Sequence, residues 1–250
     1  LYLAIDIGNT TTKIALFGDE DIRQFWRVET SQLETDLGEI VLTLNPEKQL
    51  AVGWISTASP KDLEALPLWQ HFNIPPFLFS IQSTSSLPIK NLYATPHTLG
   101  TDRIVAVIAA CSYSPGLPVL VIDAGTAITF DFADATGNYL GGGISPGVRM
   151  RFRALDEFTA RLPLVEPDTA PKLIGDSTET SIRSGVVNGT LAEVQGIIDR
   201  YRRTYGTDLQ VFLTGGDQYL FENQLKNVNF AASNLVLEGI KQCIQHLISQ

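Results

Sequence analysis

Asp6-Ile7-Gly8-Asn9-Thr10-Thr11-Thr12-Lys13 lies between two apolar runs, Leu1 to Ile5 and Ile14 to Phe17. Each run has the length and character of a buried strand, so the eight residues read as a tight turn joining two paired strands. Gly8 permits a backbone geometry, or a closeness of approach, that a side chain would block. Thr10, Thr11 and Thr12 offer hydroxyl and amide donors, and Lys13 adds a mobile positive charge. Asp6 is a hard oxygen ligand able to hold magnesium directly or through water. Donors, a cation and a metal-binding acid on one hairpin suit a polyphosphate; the plain alternative is a hairpin turn rich in small polar residues.

A second stretch repeats the pattern. Val119 to Ile122 is another continuous apolar strand, it ends in Asp123-Ala124-Gly125-Thr126, and Ala127 to Phe130 runs back with alternating character. Strand, Asp-x-Gly with a threonine close behind, and strand again is the trace a duplicated fold leaves. The expected architecture is α/β, with two half-domains that each bring one acidic turn to a shared cleft. Pro115-Gly116-Leu117-Pro118 is a turn-rich break, which places the boundary near residue 115 and the halves at 1–115 and 116–250.

Composition narrows the function classes. A length of 250 residues allows one large domain or two of about 120. The net charge of −9 argues against a nucleic-acid backbone as the main partner, because phosphate contacts along a strand need a basic face. A small anion in a locally positive cleft remains compatible. No apolar run reaches the ~18 residues of a membrane span. The first residues lack the charged and apolar regions of a signal peptide, so a cytoplasmic setting is expected. Cys111 and Cys243 are far apart in apolar helical stretches and read as buried free thiols. His71, His97 and His246 have no metal-site or triad spacing.

Along the chain, Ile22 to Glu29 reads as a third strand. Ser31 with Glu34 three residues later reads as a capping box opening a helix. Leu50 to Ser56 and Phe77 to Ser80 are expected strands, separated by a short helical stretch over 62–72. Ser83 to Thr98 reads as a long polar loop leading into an apolar helix with Asp102 and Arg103 in its first turn. An aspartate there also suits the helix dipole without any further role. Gly141-Gly142-Gly143 precedes a helix expected over 148–160, either as a place for amides to approach a ligand or as a tight connection. Ser177 to Tyr205 is expected to be helical, with Gly185 and Gly189 allowing close packing inside the chain or against a second subunit. Thr214-Gly215-Gly216-Asp217 follows a strand, where ligands often meet a sheet. Asn234 to Ser249 completes the chain as an amphipathic helix.

The paired Asp-x-Gly turns and Thr214-Gly215-Gly216 resemble the superfamily of sugar kinases, actin and the 70-kilodalton heat-shock chaperones. The motifs Asp6-x-Gly8-Asn9-Thr10-x-x-Lys13, Gly100-x-Asp102-Arg103, Asp123-x-Gly125-Thr126 and Gly142-Gly143 with Pro146-Gly147 narrow the resemblance to type III pantothenate kinase. Tyr93, Pro96, Leu162-Pro163, Thr178, Ile182 and Gly185 fit the same pattern, with Ser177 where asparagine is frequent. The resemblance implies duplicated ribonuclease H-like, actin-like ATPase half-domains and ATP-dependent phosphorylation of the 4′-hydroxyl of pantothenate, the first step towards coenzyme A. It implies magnesium, a monovalent cation (potassium or ammonium), and a homodimer assembled mainly through the second half. It makes Asp6, Ile7, Gly8, Asn9, Thr10, Thr11, Thr12 and Lys13 the ATP phosphate loop, with Thr126 also on the phosphates. It makes Asp102 the general base, and puts Tyr93, Gly100, Thr101, Asp102, Arg103 and Thr178 on pantothenate. Asp123 is then the monovalent-cation ligand, and Asp6 the magnesium ligand. A kinase for another small hydroxy compound, and a non-catalytic regulator on the same fold, are the competing readings.

Overall fold

A computed structural model describes residues 1–18, 21–44, 48–56, 63–73, 75–221 and 224–250. The chain forms two units. The first contains Leu1–Ala109 together with Asn234–Gln250, and the second Ala110–Ser233.

In the first unit, strands β1 (Tyr2–Ile7), β2 (Thr11–Phe17), β3 (Ile22–Glu29), β4 (Ala51–Ser56) and β5 (Phe77–Ser80) form one sheet in the order β3-β2-β1-β4-β5. β1, β2 and β3 pair antiparallel, whereas β4 and β5 run parallel to β1. Side chains alternate between the faces of a strand, and β1 supplies two cores. Leu3, Ile5 and Ile7 pack with Leu33, Leu37, Ile40 and Val41 of helix α1 (Leu33–Leu42). Ala4 and Ala15 face the other way, against Val105 and Ile108 of α2 (Thr101–Tyr113) and Leu237, Ile240 and Ile244 of the terminal helix. Small residues on that face let the terminal helix come close: a Cβ on Gly53 would stand 2.5 Å from Ile244 Cγ1. A two-residue strand, β6 (Lys90–Asn91), interrupts the loop expected over 83–98, and a 3-10 turn (Pro96–Thr98) ends it.

Two local expectations are corrected here. No capping box forms at Ser31 and Glu34: a 3-10 turn covers Thr30–Gln32, α1 begins at Leu33, and its N-cap Gln32 makes no side-chain cap. The stretch expected to be helical over 62–72 is a 3-10 turn over Pro67–His71, because Pro67 cannot continue a helix from the residues before it; Asp62 itself lies outside the described residues.

The second unit repeats the first. Strands β7 (Val119–Ala124), β8 (Ala127–Ala133), β9 (Asn138–Pro146), β10 (Gln210–Thr214) and β11 (Phe230–Ala231) lie in the order β11-β10-β7-β8-β9. Again the first three are antiparallel, and β10 and β11 are parallel to the first strand. Order and directions therefore match between units, as the repeated strand–turn–strand pattern requires. The glycine run 141–143 lies inside β9. Gly142 is where a Cβ would overlap the Phe130 carbonyl of the neighbouring strand, so that glycine serves sheet packing. Helix α3 (Val148–Glu157) ends three residues earlier than expected. The long helix is α4 (Thr178–Arg183) and α5 (Gly189–Tyr205) joined by a π-helical turn over Ser184–Asn188. Nothing in the chain stands against a Cβ at Gly185 or Gly189 among the described residues.

The chain divides differently from the expected 1–115 and 116–250. Helix α6 (Leu235–Ile248) belongs to the first unit. Its apolar face is matched to the alanine- and glycine-bearing face of that unit's sheet, and Gly239 brings its backbone against the Val105 carbonyl.

Candidate active site

In the first unit the hairpin register sets Asp6 opposite Lys13 and Ile7 opposite Thr12. Asp6 continues the Ala4 face of β1, the face on which α2 packs. Asp102 precedes Val105 by three residues on α2, so both lie on the helix side turned to that face. Burial pushes the Asp6 carboxyl up to about 6; Lys13 opposes the shift and the charge of Asp102 adds to it. Two carboxylates and one ammonium thus act on each other within this unit.

The turn itself is closed by the Gly8 N–H donating to the Thr11 carbonyl at 3.2 Å, and a Cβ on Gly8 would stand 2.8 Å from that oxygen. Ile7 is a core residue and can offer only its backbone. Thr12 is fully buried, its hydroxyl 3.0 Å from that of Thr30. The exposed part of the expected phosphate loop is therefore Asn9 and Thr10, flanked by half-buried Gly8, Thr11 and Lys13.

At the start of α2, Asp102 Oδ1 accepts the Arg103 N–H at 3.0 Å and lies 2.5 Å from where a Gly100 Cβ would be. Glycine at 100 is thus the residue that leaves room for this carboxylate. Arg103 is buried and places its guanidinium over the Tyr93 ring, 5.9 Å from the centroid. Tyr93 is held by its N–H donating to Asn91 Oδ1 at 3.0 Å; Asn91 in turn donates to the Ser83 carbonyl at 3.1 Å, and the Ser83 hydroxyl to the Pro96 carbonyl at 2.7 Å. Thr101 lines a polar pocket of ≈ 260 Å³ together with Ser56, Ser80, Ser83 and Leu99.

In the second unit the Asp123–Thr126 turn is gripped by two glycine-bearing segments. The Gly147 N–H donates to the Thr126 carbonyl at 3.2 Å, and a side chain at 147 would strike the carbonyls of Gly125 and Thr126. Gly215 has φ +100°, a left-handed conformation, and a Cβ there would strike the Ala124 carbonyl and the Asp123 carboxylate. The Asp217 N–H donates to the same Ala124 carbonyl at 2.8 Å, and Arg149 lies 3.5 Å from the Asp217 carboxylate. Burial holds the Asp217 carboxyl above the usual carboxylate range, while Arg149 opposes that shift. Thr178 is exposed on the first turn of α4 and lines an apolar groove with Met150, Leu155, Phe158 and Ile182.

Structure therefore gathers the expected residues into two sets, Asp6–Lys13 with Asp102 in one unit and Asp123–Thr126 in the other. Sequence reading missed Thr30, Asn91 and Arg149, and quoted Asp217 only as the end of the Thr214–Asp217 stretch. Only the first has a sequence signal, a small hydroxyl residue where β3 ends beside the first turn. Among the described residues no three His, Cys, Asp or Glu side chains cluster as a metal site. Asp6 nevertheless fits magnesium: it is a half-buried hard-oxygen ligand opposed by a single ammonium, and Mg²⁺ is commonly held by one or two carboxylates plus phosphate oxygens. The thiols are free, but only Cys243 is buried as expected and Cys111 is half-buried; loss of solvation pushes Cys111 up to about 11 and Cys243 up to about 12, which disfavours their reactive thiolates.

Two such units define the class: the fold is that of the sugar kinases and actin-like ATPases. A glucokinase from an Antarctic psychrotroph shares it with a TM-score of 0.53 at 14% identity, covering 98% of both chains. A Campylobacter jejuni protein described as of the Baf family of transcriptional activators shares it with a TM-score of 0.59 at 20% identity, covering 99% of this chain and 100% of that one. The family profile for type III pantothenate kinase matches residues 2–200. Type III pantothenate kinases of Phocaeicola vulgatus and Christiangramia forsetii are 42% and 44% identical to it, over 98% and 95% of both chains respectively. The chain belongs to the type III pantothenate kinase family.

Proposed function

We propose that this protein transfers the γ-phosphoryl group of ATP to the 4′-hydroxyl of pantothenate, with Asp102 as the general base. The observation that carries this reading is the placement of Asp102 in the first turn of α2, the helix that packs on the face of β1 bearing Asp6, which supports Asp102 as a proton acceptor for a substrate held at the phosphate turn. The pantothenate oxygen bonds to the γ-phosphorus as the bond from that phosphorus to the bridging oxygen breaks. ADP leaves, and the hydroxyl proton passes to the Asp102 carboxylate. Phosphoryl transfer needs positioning and charge neutralisation more than covalent help, and a base adds roughly 10²–10⁴ in rate.

Asn9, Thr10, Thr11 and Lys13 serve the phosphates from the first turn, and Thr126 from the second. Asp6 holds Mg²⁺, which when bound neutralises phosphate charge. Asp123 holds K⁺ or NH₄⁺. Arg103, locked over Tyr93, presents a fork to the pantothenate carboxylate that lysine could not copy. Gly100 and Thr101 complete that subsite, and Thr178 contacts pantothenate.

We further propose a homodimer assembled through the second unit. That unit exposes Phe158 by 84%, Leu173 and Ile174 by 81% each, and Ile144 by 67%, and it carries an apolar groove of ≈ 1160 Å³. Exposed apolar side chains and a groove of this kind support an association face on this unit. Among the described residues no helix is long and apolar enough to cross a membrane.

The deciding assay couples ADP release to pantothenate, run in potassium and then in sodium. Turnover with pantothenate that requires potassium or ammonium is expected. Turnover with a hexose and none with pantothenate ends the reading; equal rates in sodium remove the role given to Asp123. A dimer is expected by light scattering, and Phe158→Asp is expected to yield monomers.

A further inference from the structure

We infer that Thr30, outside every motif named above, is the positioning residue that sets the phosphate turn, an inference that rests on reading Gly8–Lys13 as that turn. Thr30 is 7% exposed and stands where β3 gives way to the 3-10 turn. Its hydroxyl donates to the Gly8 carbonyl at 2.8 Å and lies 3.0 Å from the Thr12 hydroxyl. Its backbone N–H donates to the Thr10 carbonyl at 2.9 Å. One residue thus grips the turn at Gly8, Thr10 and Thr12.

The bond directions follow from proton count. A threonine hydroxyl has one proton. With the Thr30 proton committed to the Gly8 carbonyl, the Thr12 hydroxyl must donate to Thr30. The chain Thr12 to Thr30 to Gly8 is therefore ordered in one sense, and its two hydroxyls lie inside the fold. Its consequence lies in the next peptide. The Gly8 carbonyl and the Asn9 N–H belong to one planar trans unit and point in opposite directions. Tying that carbonyl inward turns the Asn9 N–H outward, to the side on which Asn9 and Thr10 are exposed. An outward amide in a fixed direction is what an arriving phosphate oxygen needs, and holding it in advance removes the ordering cost from binding. The missing capping box at Ser31 and Glu34 fits this assignment: the chain entering α1 is held to the turn by Thr30 instead of being capped on the helix.

The test uses Thr30→Val, which keeps shape and removes the hydroxyl, Thr30→Ser, which keeps the hydroxyl, and Thr12→Val, which removes the donor to Thr30. Binding of Mg·ATP is measured by calorimetry, and KM for ATP and for pantothenate by coupled assay. Thr30→Val is expected to weaken ATP binding and raise its KM about tenfold, the effect of about 1.4 kcal/mol, with KM for pantothenate unchanged. Thr30→Ser is expected to stay within about twofold of the parent, and Thr12→Val to shift ATP about threefold, because it removes one bond of the chain and leaves the other. Parental ATP affinity in Thr30→Val, or a Thr30→Ser as weak as Thr30→Val, overturns the inference. If Thr30→Val does not fold, Thr12→Val decides: parental ATP affinity in that variant overturns it and the threefold loss supports it. A parent that binds Mg·ATP but does not phosphorylate pantothenate would end the proposed substrate while leaving this test readable.

Discussion

Asp6 and Lys13 stand opposite each other across the first hairpin, on the face of the sheet where α2 packs, and Asp102 at the head of that helix raises the same carboxyl that Lys13 lowers. An acid half-buried there, between a cation and a second acid, loses part of its solvation when ionised. That arrangement suits a metal ion and works against the stability of the empty protein.

The first prediction follows from the Asp6 carboxyl, raised from 3.8 to about 6 chiefly by burial. A raised acid binds its proton more tightly in the folded than in the unfolded chain. Its stabilising contribution is therefore complete below pH 3.8 and is lost as pH rises through 6. Asp6→Asn, which cannot ionise, is expected to exceed the parent in stability by up to about 3 kcal/mol at pH 8, converging with it near pH 4. Urea unfolding without magnesium at the two pH values measures this. The variant is expected to lose kinase activity, and Mg·ATP is expected to stabilise the parent far more than the variant.

Gly100→Ala tests the room left for Asp102. The added methyl meets the end of a flexible side chain, so the fold is expected to shift by less than about 1 kcal/mol. The carboxylate must move, however, and kcat is expected to fall about 10²-fold, the range of general-base assistance. Melting temperature and kcat on the same preparation separate the two effects; parental kcat would show that the carboxylate position at Gly100 does not matter to turnover.

Arg103→Lys keeps the charge and removes both the planar fork and its stacking on Tyr93. KM for pantothenate is expected to rise about tenfold or more, with KM for ATP unchanged. Tyr93→Leu is expected to move the same constant in the same direction, since it removes the surface that orients the guanidinium. Steady-state kinetics with each substrate varied in turn gives the answer.

Gly215→Ala places a methyl where φ is +100° and where the Ala124 carbonyl and Asp123 carboxylate already stand. A loss of roughly 1–3 kcal/mol is expected from the backbone conformation alone. Because the collision reaches Asp123, the potassium concentration for half-maximal activity is also expected to rise. Gly216→Ala, at a glycine with open space around it, serves as the control and is expected to leave potassium dependence unchanged.

Much of this architecture was legible from residues alone. Two apolar strands ending in Asp-x-Gly announced the duplicated sheets, since strand and turn patterns depend on near neighbours in sequence. Asp102 and Arg103 could be placed at a helix start for the same reason. What misled was also local. Ser31 and Glu34 have the spacing of a capping box, yet the helix begins two residues later and Thr30 turns to Gly8. The glycine run at 141–143 resembles a ligand loop, yet it lies in a strand, where Gly142 makes way for the Phe130 carbonyl.

By itself the sequence determined the repeated strand–turn–strand units, the acidic turns and the family, because those rest on periodicity and on motifs a few residues long. Only the tertiary structure decided that α6 returns to the first unit, that Thr12 is interior, and that Thr30, Arg149 and Asp217 support the turns. Each of those depends on which distant surface has room: a face of alanines and glycines for a helix, an unclaimed carbonyl for a hydroxyl. Such complementarity arises between segments far apart in the chain, and no local pattern records it.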